Sequence, residues 1–129
     1  MAHYAFIKDN FVTEVITGRE ETDAAPEGFN NWEEYYLTKR PGQDACIRTS
    51  YNTLANEHTD GGTPLRGNYA GVGCEYDSVN DVFYPIKSFA SWVISEDTNW
   101  QWKAPIDLPD NENPYLWNED TQSWDLIVE

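Results

Sequence analysis

The side chains best suited to metal or thiol chemistry are few in this sequence, which has two histidines and two cysteines. Glu57, His58 and Asp60 lie close enough along the chain to share a metal ion, but one polar loop is a weak ligand set, so we predict no metal. Cys46 and Cys74 do not form a CxxC pair, and their spacing is compatible with one disulfide or with two buried thiols. We predict no cofactor.

Carboxylates are abundant, but their placement argues against acid–base catalysis. A glycosidase needs two carboxyl groups at a set separation in a cleft. Here the acidic residues cluster in segments that are typical of exposed turns. The sequence also lacks the glycine-rich phosphate loops and the HExxH, CxxC and GxSxG motifs. We predict that the protein is not an enzyme.

The tryptophans offer a different chemistry, because an exposed aromatic ring can stack on a sugar ring or anchor a protein interface. The five tryptophans of the second half are Trp92, Trp100, Trp102, Trp117 and Trp124. They could form a platform for a host glycan, anchors for a protein partner, or the core of thin hairpins. We favour the core interpretation.

The net charge of −15, from 23 acidic and 8 basic residues, limits the possible partners. Such a chain is repelled by nucleic-acid backbones and anionic membranes, so we predict that neither is a partner. Residues 1–20 lack the pattern of a signal peptide, and no segment is long and apolar enough to span a membrane. We expect a reducing cytoplasm, which favours free thiols.

A repeated strand–turn–strand pattern has to position these side chains in residues 74–129. Each of three units has a short apolar strand, an acidic turn and a second apolar strand. The paired segments are 74–76 with 82–84, 92–94 with 100–102, and 115–117 with 124–128. In the second unit Trp92, Ile94, Trp100 and Trp102 share one parity, which predicts that they line one face of a sheet.

Residues 1–51 are predicted to contain a hairpin, a helix and a further strand. Asn30 or Asn31 is suited to cap the helix, and Pro41 is suited to end it. The predicted segments are strands at 4–7 and 11–17, a helix at 29–40 and a strand at 45–51.

Residues 52–73 form a glycine-rich segment that begins with a long polar loop at 52–67. A loop of this length without structure of its own is typically functional or ordered by a partner. The candidate partner-binding residues are Gly61, Gly62, Pro64, Arg66, Tyr69 and Gly71. The whole chain is thus predicted to be one mainly β domain of serial antiparallel hairpins, in a small sheet or meander, with one short helix and long loops.

Four stretches of the sequence carry a resemblance to a known group of proteins. They are MAHYAFI at 1–7, NWEEYY at 31–36, RTSYNT at 48–53 and GGTPLRGNYAGVG at 61–73. Together they resemble small proteins of tailed phages that infect cyanobacteria and other aquatic bacteria, which are described as uncharacterised or as virion structural proteins. The resemblance implies a virion protein that is assembled in the host cytoplasm, and it supplies no catalytic residues.

We therefore expect a non-enzymatic virion structural protein that binds other capsid or tail proteins in several copies. It would be a capsid decoration (cement) protein or a tail-associated one. One alternative is a glycan- or receptor-binding module at the tail. A second is an acidic host-takeover protein that mimics nucleic acid, although the spread of carboxylates over several turns argues against a regular stripe of charge.

Overall fold

The computed structural model describes residues 2–128, within which one five-stranded sheet is accompanied by two separate two-stranded hairpins and one α-helix. The elements are β1 (Ala2–Lys8), β2 (Phe11–Gly18), α1 (Trp32–Leu37), β3 (Ala45–Thr49), β4 (Thr53–Leu54), β5 (Glu57–His58), β6 (Glu75–Asp77), β7 (Val82–Tyr84), β8 (Tyr115–Asn118) and β9 (Ser123–Leu126). The predicted mainly β fold of antiparallel hairpins with one short helix is confirmed.

The β1–β2 hairpin is the centre of the large sheet, whose strand order is β3-β1-β2-β6-β7. Its two-residue turn consists of Asp9 and Asn10, with φ angles of 51° and 72°. Positive φ at both positions matches the twist of the flanking strands, and Asp and Asn tolerate this conformation better than most residues. The hairpin therefore forms where the sequence predicts it.

Strand β1 is buried on both faces, because its side chains alternate between the two sides of the sheet. Tyr4 and Phe6 lie on the side covered by α1. Ala5 and Ile7 lie on the opposite side and pack with Phe83 of β7. Two small cores on either side of one strand thus hold the sheet together.

The two cysteines belong to different cores and are both free and buried. Cys46 lies with Tyr4 and Phe6, whereas Cys74 lies with Ala5 and Ile7 on the other side of the sheet. Burial raises the pKa of the Cys46 thiol to about 12. Because the thiolate is the reactive form, this thiol is structural and not nucleophilic.

The helix is shorter than the predicted segment 29–40, since α1 covers only Trp32–Leu37. Asn31 caps its start as predicted, with its side chain accepting a hydrogen bond from a backbone N–H of the first turn. Arg40 lies beyond the helix and pairs with Glu14 of β2, with 2.8 Å between Nε and Oε1. Arg40 therefore links the chain after the helix to the sheet.

Two other predicted segments, a strand and a loop, differ from the structure. The predicted strand at 45–51 ends at Thr49, and the predicted structureless loop at 52–67 contains the hairpin β4–β5. The turn of that hairpin uses Ala55 and Asn56, which both have positive φ. The sequence prediction missed it because its strands have only two residues each, too few to show an alternating pattern.

The predicted hairpin at 92–94 and 100–102 is wrong in its pairing. Only one bridge forms there, between Val93 and Lys103, and a 3₁₀ turn at Glu96–Thr98 lies between them. Asn99 and Trp100 both have positive φ, which interrupts the alternation of side chains after the turn. Of the side chains predicted to share a face, Trp100 and Trp102 consequently lie around Tyr84, whereas Trp92 lies with Trp117 and Trp124.

Gly18 ends β2 at a point of close contact, and we predict that alanine there is destabilising. A Cβ atom would lie 2.7 Å from Oη and 2.8 Å from two ring carbons of Tyr36. That ring is held against Tyr4, with 5.0 Å between ring centroids, so it has little room to move. We expect Gly18→Ala to lower the free energy of unfolding by about 1–3 kcal/mol in urea titrations.

The matched control is Gly71→Ala, because a Cβ there would meet only the Cys74 sulfur at 3.8 Å. We expect this variant to change the free energy of unfolding by no more than about 0.5 kcal/mol. Equal losses in the two variants would contradict the steric explanation.

Candidate functional site

The predicted partner-binding residues fall into two environments. Gly61 and Gly62 are exposed just after β5, whereas Pro64, Arg66, Tyr69 and Gly71 are half-buried. Arg66 places Nε 2.7 Å from an oxygen of Asp81, and its Nη1 donates to the backbone oxygen of Arg48. Pro64, Arg66, Tyr69 and Gly71 therefore pack partly into the body of the protein, whereas Gly61 and Gly62 are open to solvent.

Asn68 is the central residue of this segment, and the sequence analysis missed it. Its side chain is 3% exposed and makes four hydrogen bonds. Nδ2 donates to the backbone oxygens of Phe83 and Trp100, both at 2.9 Å. Oδ1 accepts from the backbone N–H of Ala55 at 3.0 Å and from Nε2 of Gln101 at 2.6 Å. One amide thus joins β7, the β4–β5 turn and the segment after the 3₁₀ turn.

Trp100 and Trp102 form the first aromatic cluster, around Tyr84 of β7. Trp100 lies parallel to Tyr84 with 6.1 Å between centroids, and Trp102 meets it edge-on at 5.6 Å. Gly67 has φ +74°, and the Trp100 ring lies 3.0 Å from where a Cβ would be, so only glycine fits without strain. The indole N–H of Trp102 donates to the Pro85 backbone oxygen.

Trp92, Trp117 and Trp124 form the second cluster, which attaches the hairpin β8–β9 to the preceding chain. Trp117 and Trp124 are cross-strand partners with centroids 5.1 Å apart. Trp92 lies 6.0 Å from Trp117 and 6.3 Å from Trp124. The rings pack on one another, as the core interpretation predicts, and they do not form a single open platform with Trp100 and Trp102.

Glu119 is the polar counterpart of this cluster. Its carboxylate accepts hydrogen bonds from the backbone N–H and hydroxyl of Ser91, at 3.0 and 2.6 Å, and from Nε1 of Trp117 at 2.9 Å. The bonds from Ser91 and then from Trp117 lower the pKa of Glu119 below its ordinary value. The carboxylate therefore acts as a structural acceptor that stays ionised.

This lowered pKa predicts a pH dependence of the C-terminal hairpin. A carboxylate with a depressed folded-state pKa stabilises fully above its ordinary pKa of about 4.3, and the effect is lost as pH falls through the folded value. We expect acidification to weaken the attachment of β8–β9, seen as a change in tryptophan fluorescence. Glu119→Gln should remove this part of the pH profile. The exposed Glu96→Gln is the control, and an identical change in both variants would contradict the assignment.

The tyrosines of β6 and β7 are held in their protonated form. Burial, followed by hydrogen bonding to a carboxylate, raises the pKa of Tyr76 and of Tyr84 to about 12. Tyr84 donates its hydroxyl to Asp77 at 2.5 Å, and this bond is the main cause of the lowered pKa of Asp77. Tyr76 donates to Asp81 in the same way. The two hydroxyls therefore act as fixed hydrogen-bond donors to these carboxylates.

The loop histidine has a structural role in its own turn. Nδ1 of His58 accepts hydrogen bonds from the backbone N–H groups of Asp60 at 3.1 Å and Gly62 at 3.2 Å. Within residues 2–128, no three His, Cys, Asp or Glu side chains are grouped closely enough to hold a metal ion. Over the same residues, no helix is long and apolar enough to cross a membrane.

The chain matches no family model, no curated protein and no solved structure. Its functional interpretation accordingly depends on its own surface and on the sequence resemblance.

Exposed apolar side chains are concentrated in the C-terminal unit, residues 104–128. Among residues 2–128, six of the thirteen large apolar residues that are exposed belong to it. We call these six the C-terminal surface: Ile106, Leu108, Leu116, Leu126, Ile127 and Val128. Residues 104–129 also carry seven acidic side chains and no lysine or arginine. The exposed part of the unit therefore combines apolar and acidic side chains, and Lys103 just before it pairs with Asp107 at 3.0 Å.

The total accessible surface is larger than that of a compact monomer. It measures 8281 Å² for a mass of 14.9 kDa, for which about 7,000 Å² is typical. The surplus is of the size that one partner buries in a standard protein interface, roughly 800 Å² or more.

Proposed function

We propose that this protein is a non-enzymatic structural component of a tailed-phage particle, either a capsid decoration protein or a tail-associated one. It acts by binding other virion proteins. The phage context is supported by the sequence resemblance. The mode of action is supported by the apolar side chains that the C-terminal surface leaves in water.

The C-terminal unit has the properties of a segment that gains stability from a partner. An isolated two-stranded hairpin is marginal in water. Here β8–β9 pairs with no other strand and is attached through the second tryptophan cluster. Leu116 and Leu126 lie on opposite faces of this hairpin, because Leu116 is paired with Asp125 and Leu126 with Tyr115. A partner that binds both faces would remove both leucines from water.

The charge of the C-terminal unit defines the partner further. Acidic residues alternate in sequence with the apolar residues of this unit, so we expect the complementary surface to combine apolar side chains with lysine and arginine. Opposite charges at the rim mainly speed association and select the partner, while the buried apolar area supplies the affinity. Binding at this surface also stabilises the bound chain in proportion to occupancy.

Quantitative mass spectrometry of purified particles tests the proposal. We expect several copies per particle, enriched in separated heads for a decoration protein or in separated tails for a tail-associated one. Absence from particles would overturn the proposal.

A paired substitution tests the surface itself. We expect Leu116→Glu to fold normally, because Leu116 is 67% exposed, and to be depleted from particles at least tenfold. The control is Val79→Glu in the β6–β7 turn, where Val79 is 91% exposed. Equal incorporation of the two variants would show that the C-terminal surface is not the contact.

A further inference from the structure

A polar cavity of about 210 Å³ lies between the end of β3 and the β4–β5 hairpin, far along the sequence from the C-terminal surface. Both histidines of the chain line it, together with Arg48, Tyr51 and Asn52. Among residues 2–128, Ala2 is its only aliphatic lining residue. Sites for drug-sized apolar ligands measure roughly 300–1,000 Å³ and have mostly apolar walls, so this cavity suits a smaller, polar molecule.

Several polar atoms in the lining have hydrogen-bonding capacity to spare. The two ring nitrogens of His3 and the hydroxyl of Tyr51 make no hydrogen bond among the residues that the structure describes. Asn52 uses Oδ1 to accept from Thr59, which leaves its Nδ2 donors. Because Nδ1 of His58 accepts from two backbone N–H groups, its proton is on Nε2, which is a donor. The cavity thus offers donors and acceptors together.

The aromatic side chains of the cavity are held in place. His3 meets Tyr51 edge-on at 5.2 Å and Tyr69 edge-on at 5.9 Å. Tyr51 is 64% exposed, so its ring keeps an open surface. An aromatic surface beside fixed polar groups matches a ring that has an apolar face and a polar edge.

The charges around the cavity disfavour an anion. Arg48 places its Nε 2.7 Å from an oxygen of Glu21, although this oxygen lies out of line with the N–H direction. The whole chain also carries a net charge of −15. A neutral ligand avoids this repulsion.

We propose that this cavity binds a single neutral sugar ring. Tyr51 contacts the apolar face of the ring, and His3, His58 and Asn52 make hydrogen bonds to its hydroxyl groups. This site is distinct from the tryptophans that the sequence suggested as a glycan platform, and it is independent of the C-terminal surface.

The two histidines allow a direct test by proton NMR, since the full chain gives only two imidazole Cε1–H signals and both report on the cavity. At constant pH, the protein would be titrated separately with glucose, galactose, N-acetylglucosamine and inorganic phosphate. We expect at least one sugar to shift both signals along one saturating curve, with no saturating shift for phosphate. Absence of a saturating shift with all three sugars, or saturation by phosphate instead, would overturn the proposal.

Variants separate the site from nonspecific binding. Tyr51→Ala should weaken the sugar about tenfold, the equivalent of about 1.4 kcal/mol. Leu54→Ala is the control, because Leu54 is 63% exposed on the neighbouring strand and does not line the cavity. Equal affinity in the two variants would also overturn the proposal. If Tyr51→Ala does not fold, the titration of the unaltered chain still decides.

Discussion

Asn68→Ala is expected to lower the free energy of unfolding by about 2–4 kcal/mol, because buried donors and acceptors lose their partners. The backbone N–H of Ala55 and the backbone oxygens of Phe83 and Trp100 would lose the amide that bonds to them. These groups belong to three separate parts of the chain, so no local shift restores all of them. Urea unfolding followed by circular dichroism measures the loss.

Two further variants define the cause. Asn68→Asp preserves the size of the side chain but turns an oxygen toward two carbonyl oxygens, so we expect a loss at least as large as that of Asn68→Ala. Asn113→Ala removes an exposed asparagine whose side chain makes no hydrogen bond within residues 2–128. It should change the free energy by no more than about 0.5 kcal/mol. A loss in Asn68→Ala as small as in this control would contradict the importance of the amide.

Trp117→Ala is expected to release the C-terminal hairpin while the five-stranded sheet stays folded. Trp117 is 7% exposed and contacts both Trp92 and Trp124. Truncation of a buried tryptophan costs about 3–5 kcal/mol. Since β8–β9 pairs with no other strand, this cost falls on the hairpin. Hydrogen exchange should show faster exchange at 115–126 and unchanged protection at 2–18.

Trp117→Phe separates ring packing from the polar contact. Phenylalanine retains an aromatic ring beside Trp124 but loses the hydrogen bond to Glu119. We expect it to preserve most of the protection at 115–126. Loss of protection in β1 and β2 in the alanine variant would show instead that the hairpin and the large sheet unfold as one unit.

Local sequence signals were sufficient for the hairpins that depend on local contacts. β1–β2, β6–β7 and β8–β9 each combine apolar strands with a polar turn, and each was predicted. The unit around Trp92 and Trp100 has the same sequence pattern, but the hairpin predicted from it does not form. Its left-handed residues at Asn99 and Trp100 serve contacts of Trp100 with Gly67 and Tyr84, which are distant in sequence.

The candidate sites were less accessible to prediction for the same reason. The four bonds of Asn68 exist only once β7, the β4–β5 turn and the segment after the 3₁₀ turn have come together. His3 and His58 likewise line one cavity only once β1 and β5 are assembled. A lone asparagine or histidine in a polar stretch has no periodic pattern. The sequence also does not predict the C-terminal surface. The alternation of apolar and polar residues in β8–β9 indicates which side chains share a face of the hairpin, but it does not indicate which face stays exposed to solvent.

Because the central sheet separates the two thiols, the labelling rate of each thiol reports independently on local opening of its own side of the sheet. Cys46 is 5% exposed on the side of the sheet covered by α1, and Cys74 is 8% exposed beside Ala70 on the other side. The two labelling rates therefore time two different motions of one molecule. Binding of a partner over one side of the sheet would slow labelling of the thiol on that side and leave the labelling rate of the other thiol unchanged.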